Sequence, residues 1–203
     1  MNNTYNLKLY GFYAPRYERL FGWLYTRPQR RAVALLNVQA GERVFVPGVG
    51  TGMGLTELPA DAHVTAIDLS PAMLAQAQHR LAGRAIDFAV MDAQQLRFTD
   101  GSFDAVLLSL ILSVVPDGAA AFREAWRVLR PGGRAVIFDK FLPEAGRLSL
   151  LRRAIGAVLR VIGTDPNRRL SQLIAGAPDL VIERDEPSLL RGQYRIVLLR
   201  KES

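Results

Sequence analysis

The chain has 203 residues, no cysteine and only two histidines, His63 and His79. Without cysteine there is no disulfide scaffold, thiolate zinc site, iron–sulfur cluster or cysteine nucleophile. No His/Asp/Glu group has the spacing of a metal site, so none is expected. His63 falls before a strand, at the sheet end away from ligands, and His79 late in a helix; neither reads as catalytic. Long hydrophobic runs are also missing. The longest, Ala105 to Val115, is too short to span a bilayer and is interrupted by serines. The opening MNNTYNLKLY lacks the basic-then-apolar layout of a secretory signal, so a cytoplasmic protein is expected. Internal repeats and low-complexity stretches are absent as well.

What is present is ordinary globular material, 49% hydrophobic and 22% charged, of a length that predicts one domain over residues 1–203. The formal charge of +7 is uneven: residues 1–43 carry net +5, residues 44–140 net −2 and residues 141–203 net +4. Arginine outnumbers lysine 23 to 3. A basic excess points to an anionic partner. Nucleic acid is not expected, because no recognition motif is found and the aromatics are not interleaved with the basic residues. An anionic membrane surface, touched peripherally, is the preferred partner. The segment Leu148–Ile162 supports this, with a broad apolar helical face opposite Arg153 and Arg160. The plainer reading is a helix covering the sheet.

Between residues 43 and 141 apolar runs alternate with helical patterns. Arg43–Val46, Val64–Ile67, Ile86–Met91, Phe103–Leu112 and Arg134–Phe138 read as strands. Ser70-Pro71 reads as an N-cap with proline at the first helical position; Met73, Leu74, Ala77 and Leu81 follow at helical spacing, and Gly83 ends the run. Asp117 to Arg130 is the next helix, stopped by Pro131-Gly132-Gly133. Such alternation implies a parallel sheet with helices on both faces. Leu180–Glu183 and Tyr194–Leu199 close the chain as two strands whose short connection favours an antiparallel pair. Residues 4–40 look helical and aromatic, and residues 1–40 read as an N-terminal cap over a core of residues 41–203.

The chemistry concentrates at three strand ends. Val46-Pro47-Gly48-Val49-Gly50-Thr51-Gly52 runs a strand into a glycine turn, where missing side chains let a ligand approach the backbone. Asp68 ends the second strand, placed to accept from both hydroxyls of a ribose. Asp92-Ala93 ends the third, where a carboxylate and the next backbone N–H suit an adenine edge. Together they ask for one ligand containing ribose and adenine. A nicotinamide dinucleotide oxidoreductase shares the strand, glycine turn and aspartate, but not the Gly48-x-Gly50-x-Gly52 spacing, the Asp92-Ala93 block or the closing strand pair.

The blocks GVGTG, AIDLSPAML, MDAQQLRF, FDAVLLSLIL and LRPGG resemble, in order and spacing, the class I S-adenosylmethionine-dependent methyltransferases. The resemblance implies an α/β, Rossmann-like seven-stranded sheet of order 3-2-1-4-5-7-6, its seventh strand antiparallel. It implies S-adenosylmethionine as cofactor, no metal, and a cofactor site of Gly48, Val49, Gly50, Thr51, Gly52, Asp68, Leu69, Met73, Asp92, Ala93, Gln94, Ser109 and Leu110. The backbone at Ser109-Leu110 would face the methionine ammonium. One position departs: the acidic residue usual two places before the first glycine is here Val46, followed by Pro47. This leaves a cofactor-binding member without turnover as a third reading.

The segment Tyr10 to Gly22 resembles the start of small bacterial phosphatidylethanolamine N-methyltransferases and, less closely, ubiquinone/menaquinone C-methyltransferases. By that resemblance the acceptor is a small or lipid-like molecule, best a phospholipid amine, with a quinone precursor as the alternative. Tyr13, Tyr17 and Asp139 are its candidate contacts. Tyr17 is the one catalytic candidate, and an aromatic staple onto the sheet is its plainer reading. Methyl transfer itself needs alignment and exclusion of water more than any fixed catalytic residue. Arg16, Arg19, Arg152 and Arg153 are expected to form the basic rim of the acceptor entrance.

Overall fold

A computed structural model of the chain describes residues 22–144 and 163–203. The expected segments 1–21 and 145–162, with Tyr13, Tyr17, Arg16, Arg19, Arg152, Arg153 and the amphipathic Leu148–Ile162, lie outside the described residues.

Residues 22–36 form helix α1. Then come β1 (Arg43–Pro47), β2 (His63–Asp68), α2 (Pro71–Arg80), β3 (Ile86–Val90), β4 (Phe103–Ser109), α3 (Gly118–Val128) and β5 (Leu129–Lys140). A short helix α4 (Leu170–Ile174), β6 (Leu180–Pro187) and β7 (Tyr194–Lys201) complete the chain. The seven strands make one sheet in the order β3-β2-β1-β4-β5-β7-β6. Strands β1 to β5 pair in parallel, and β7 runs antiparallel to both β5 and β6.

The alternation of side chains along each strand splits the core into two layers. Val44 and Val46 of β1, Val64 and Ala66 of β2, and Val136 and Phe138 of β5 face a layer closed by Tyr25, Ala32, Val33 and Leu36 of α1 and by Leu74 and Ala77 of α2. Phe45, Ile67, Val106 and Ile137 face the other, closed by Phe122, Ala125 and Trp126 of α3 and Leu173 of α4. The edge strands are blunted differently: β6 is almost entirely exposed and carries Glu183, Arg184, Asp185 and Glu186, charges that discourage edge-to-edge pairing.

Several boundaries differ from expectation, each for a local reason. β4 ends at Ser109 rather than Leu112, because Leu110 takes a left-handed conformation (φ 58°); Ile111 and Leu112 are apolar because they pack against the α3 layer. α3 ends at Val128, since Leu129 is already extended. Pro131-Gly132-Gly133 then forms an irregularity inside β5, where the register with β4 shifts between Phe103 and Ala105. β6 runs on to Pro187 because its polar end still pairs with β7. The short α4 follows no strong sequence pattern. Pro47 is tolerated because it closes β1: pairing to β4 covers Val44 and Phe45 only, so the missing N–H lies beyond the ladder.

Candidate functional site

The carboxyl ends of β3, β2, β1 and β4 lie side by side along one edge of the sheet, and each hands over to a turn that carries polar groups. After β1 the chain enters its glycine turn. Gly48, Gly50 and Gly52 all have positive φ, of 66°, 56° and 76°, a region costly for other residues. Their surroundings differ. A Cβ on Gly48 would overlap the Ile111 side chain, and one on Gly52 would press on Leu81 and the backbone of Ala77 in α2. A Cβ on Gly50 would meet nothing within 4 Å. Gly48 and Gly52 therefore serve packing, while Gly50 leaves open space above the sheet edge. Val49 N–H donates to the Ile67 carbonyl (2.9 Å) and holds the turn against β2.

Asp68 organises the next strand end. Its carboxylate accepts from Gly50 N–H (2.9 Å) and Ser70 N–H (2.8 Å), tying the glycine turn to the start of α2. Ser70 Oγ in turn caps α2 by accepting from Met73 N–H (3.4 Å). Burial pushes the Asp68 carboxyl above its ordinary range, against the pull of backbone N–H groups. A carboxylate has room for about four donors, more than the backbone N–H groups that reach it here.

Beyond β3, Asp92 accepts from the backbone N–H and side-chain amide of Gln94 (both 2.9 Å). The Gln94 carbonyl oxygen accepts from Asp117 N–H (2.8 Å), the residue that caps α3. This bridging role of Gln94 was not legible in the sequence. Ala93 is buried beneath. Leu69, Met91, Asp92, Gln95 and Leu96 line a concavity of about 400 Å³ at this end of the edge.

At β4, Leu110 N–H donates to the Phe138 carbonyl (2.7 Å), fixing the left-handed turn. Ser109 Oγ accepts from the side-chain amide of Gln29 (3.4 Å), which reaches over from α1. Gln29 is a residue that sequence reasoning missed. Its one signal is helical spacing with Tyr25, Ala32, Val33 and Leu36, which puts a polar group on an apolar stripe.

The end of β5 behaves differently. Asp139, an expected acceptor contact, is 0% exposed. Its carboxylate accepts from Ser113 N–H (3.0 Å) and Lys140 N–H (2.8 Å), so it shapes the loop after β4 and shows no surface to a ligand. Lys140 Nζ donates to Ser113 Oγ (2.9 Å) and lies over the Tyr194 ring at 5.8 Å. Burial holds its ammonium below the ordinary lysine range. Tyr194 and Tyr25 share a hydroxyl hydrogen bond of 3.1 Å, which links β7 to α1. Arg168 donates to the carbonyls of Leu112, Val115 and Pro116 and clamps the same loop.

His63 opens β2 and His79 lies in α2, both exposed and away from this edge. Among the described residues no acidic or histidine group could hold a metal, and no helix is long and apolar enough to cross a membrane.

A glycine turn and two strand-end aspartates share one edge of a mixed seven-stranded sheet whose β7 runs antiparallel, an α/β architecture with its ligand edge at the parallel strand ends. Residues 46–137 match the model described as a methyltransferase domain. The phosphatidylethanolamine N-methyltransferase of Cereibacter sphaeroides is 32% identical over 189 residues, covering 91% of this chain and 92% of that protein. The chain belongs to the class I S-adenosylmethionine-dependent methyltransferases. A demethylmenaquinone methyltransferase of Clavibacter sepedonicus is 40% identical over 134 residues, 65% of this chain; the chain spans about half of that relative, 52%. Among solved structures, phosphoethanolamine N-methyltransferase 2 of Haemonchus contortus, in complex with S-adenosyl-L-methionine, shares the fold at a TM-score of 0.67 and 19% identity, covering 85% of this chain and 52% of that one. The open space at Gly50, flanked by Asp68, fits such a cofactor.

Proposed function

We propose that the chain transfers a methyl group to the amine of a phospholipid headgroup, with phosphatidylethanolamine as the reference acceptor. The observation that carries this reading is the match to a phosphatidylethanolamine N-methyltransferase along nearly the full length of both chains. Quinone-precursor methylation is the second reading, favoured by the higher identity to a demethylmenaquinone methyltransferase over a shorter span.

Bound S-adenosylmethionine supplies a methyl group on a positively charged sulfur. The chain aligns it. Asp68 accepts from the ribose hydroxyls while keeping its hold on Gly50, so that ligand and turn are ordered together. Asp92 and the N–H of Ala93 meet the adenine edge, with Leu69 and Met73 against its faces and Gln94 steadying Asp92. Gly48, Val49, Gly50, Thr51 and Gly52 pass beneath the ribose and methionine portions, and the backbone at Ser109-Leu110 borders the methionine end.

The acceptor comes from the β4–β5 side; Tyr13 and Tyr17, its candidate contacts by resemblance, lie outside the described residues. Asp139 holds the post-β4 loop in place of touching the acceptor. Peripheral contact with anionic lipid belongs to this reading. It rests on residues 1–21 and 145–162, because Arg195, Arg200 and Arg31 are engaged by Asp185, Glu183 and Glu186.

The test is incubation with methyl-labelled cofactor and vesicles containing phosphatidylethanolamine, with a quinone precursor in parallel. Label in the phospholipid amine supports the reading. Label only in the quinone precursor replaces it with the second.

A further inference from the structure

Within the described residues, one buried side-chain acceptor on the ligand edge has no donor. The Gln29 Oε1 atom is shut off from solvent and makes no hydrogen bond, although buried polar groups are nearly always paired and leaving one unpaired is costly. Its place explains the need. Gln29 Nε2 donates to Ser109 Oγ at the end of β4. The Gln29 Cβ stands 3.2 Å from where a Cβ on Gly54 would lie, just past the glycine turn. The amide therefore spans the gap between the exit of the glycine turn and the end of β4.

The order of the strand ends says which part of the ligand arrives there. The adenine-type group Asp92 follows β3, the ribose-type group Asp68 ends β2, and the glycine turn follows β1. A ligand whose base and sugar occupy β3 and β2 directs its remaining arm towards β1 and β4. In S-adenosylmethionine that arm is an amino acid, and its strong hydrogen-bond donor is an ammonium. β1 offers it no side-chain acceptor: Val46 is 3% exposed in the core, and Pro47 follows.

We propose that Gln29 binds the cofactor's methionine ammonium through its side-chain carbonyl, filling from helix α1 the role that β1 leaves empty. This rests on the cofactor placement given above. A hydrogen bond to a charged group is stronger than one between neutral partners, so the ligand supplies the donor that Oε1 lacks. The Ser109 hydroxyl holds the other end of the amide, and the ligand's arm would have to reach the carbonyl where it is now covered.

The test is calorimetry of the full chain with S-adenosylhomocysteine and with 5′-methylthioadenosine, which keeps base, sugar and sulfur but lacks the amino acid. Gln29→Leu should weaken S-adenosylhomocysteine about tenfold or more and leave 5′-methylthioadenosine unchanged. Gln29→Glu should bind S-adenosylhomocysteine at least as tightly as the native chain. Equal losses for both ligands would show a packing role and overturn the proposal. So would an unchanged Leu variant, or a Glu variant weaker than Leu, which would place the ligand's carboxylate at this atom. Failure of the native chain to bind either ligand would instead remove the cofactor placement itself. Circular dichroism of each variant confirms that it is folded.

Discussion

The parallel half of the sheet and its antiparallel flank use charge in opposite ways. On β3-β2-β1-β4 the key carboxylates, Asp68 and Asp92, accept from backbone N–H and amide groups of their own and the neighbouring strand-end turns. They stand in concave turns on the edge where the strand ends converge. On β7-β6 the carboxylates face arginines across the ladder, as in Arg195 with Asp185 and Arg200 with Glu183. Those charges are satisfied by each other on an exposed surface. The difference follows from topology: parallel strands end together at one edge, where their turns can converge on a ligand, whereas antiparallel neighbours place side chains in facing pairs. Among the described residues of the C-terminal region, Arg195 and Arg200 are engaged by carboxylates and Arg168 by the loop after β4, which the sum of charges alone did not show.

The contrast breaks most visibly at Asp68. Asp68→Ala should lower S-adenosylhomocysteine affinity by about two orders of magnitude, since charged hydrogen bonds are worth roughly 1.5–3 kcal/mol each. Because burial raises this carboxyl above its ordinary value of 3.8, native affinity should fall as pH drops into that raised range. The folded protein holds that proton more tightly than the unfolded chain. Its own stability contribution from this group is therefore greatest below 3.8 and lost as pH rises through the raised value. Calorimetry over pH and a thermal melt separate the two.

Two glycines sharpen the comparison within the parallel half. Gly48→Ala should cost roughly 2–4 kcal/mol of stability, from left-handed strain and overlap with Ile111. Gly50→Ala, with the same strain and open space around it, should cost about 1–2 kcal/mol yet lose cofactor binding more completely. Chemical denaturation and calorimetry on both variants check the reversal.

A smaller effect is expected at Lys140. Its lowered pKa means that the folded chain binds fewer protons than the unfolded one up to the ordinary lysine value of 10.5. Stability from this group is therefore withheld at low pH and recovered as pH rises through the lowered value towards 10.5. Lys140→Met should be more stable than the native chain at neutral pH, with the advantage shrinking as pH nears 10.5. Thermal melts at several pH values read this directly. The smallest change is on the flank: Asp185→Asn should cost below about 1 kcal/mol and leave cofactor affinity unchanged.

The parallel half was largely legible in the sequence because its rules are local. The glycine turn and the Ser70-Pro71 cap lie within a few residues of what they act on, and each aspartate is marked by its place at a strand's end. The strand order came with the family resemblance and is the order seen. What escaped depends on distance in sequence. Gln29 meets Ser109 across 80 residues. Asp139 was expected at the acceptor because it ends a strand on the ligand edge, yet it turns inward to Ser113. Leu110 breaks β4 through a backbone conformation that an apolar run conceals.

Hydrogen exchange of the native chain with and without S-adenosylhomocysteine tests the division between the two halves most directly. New protection is expected at Gly48–Gly54, Asp68–Met73, Asp92–Gln95, Ser109–Ile111 and around Gln29, with β6 and the outer residues of β7 unchanged. Protection concentrated on β6 and β7, with the glycine turn unaffected, would contradict it.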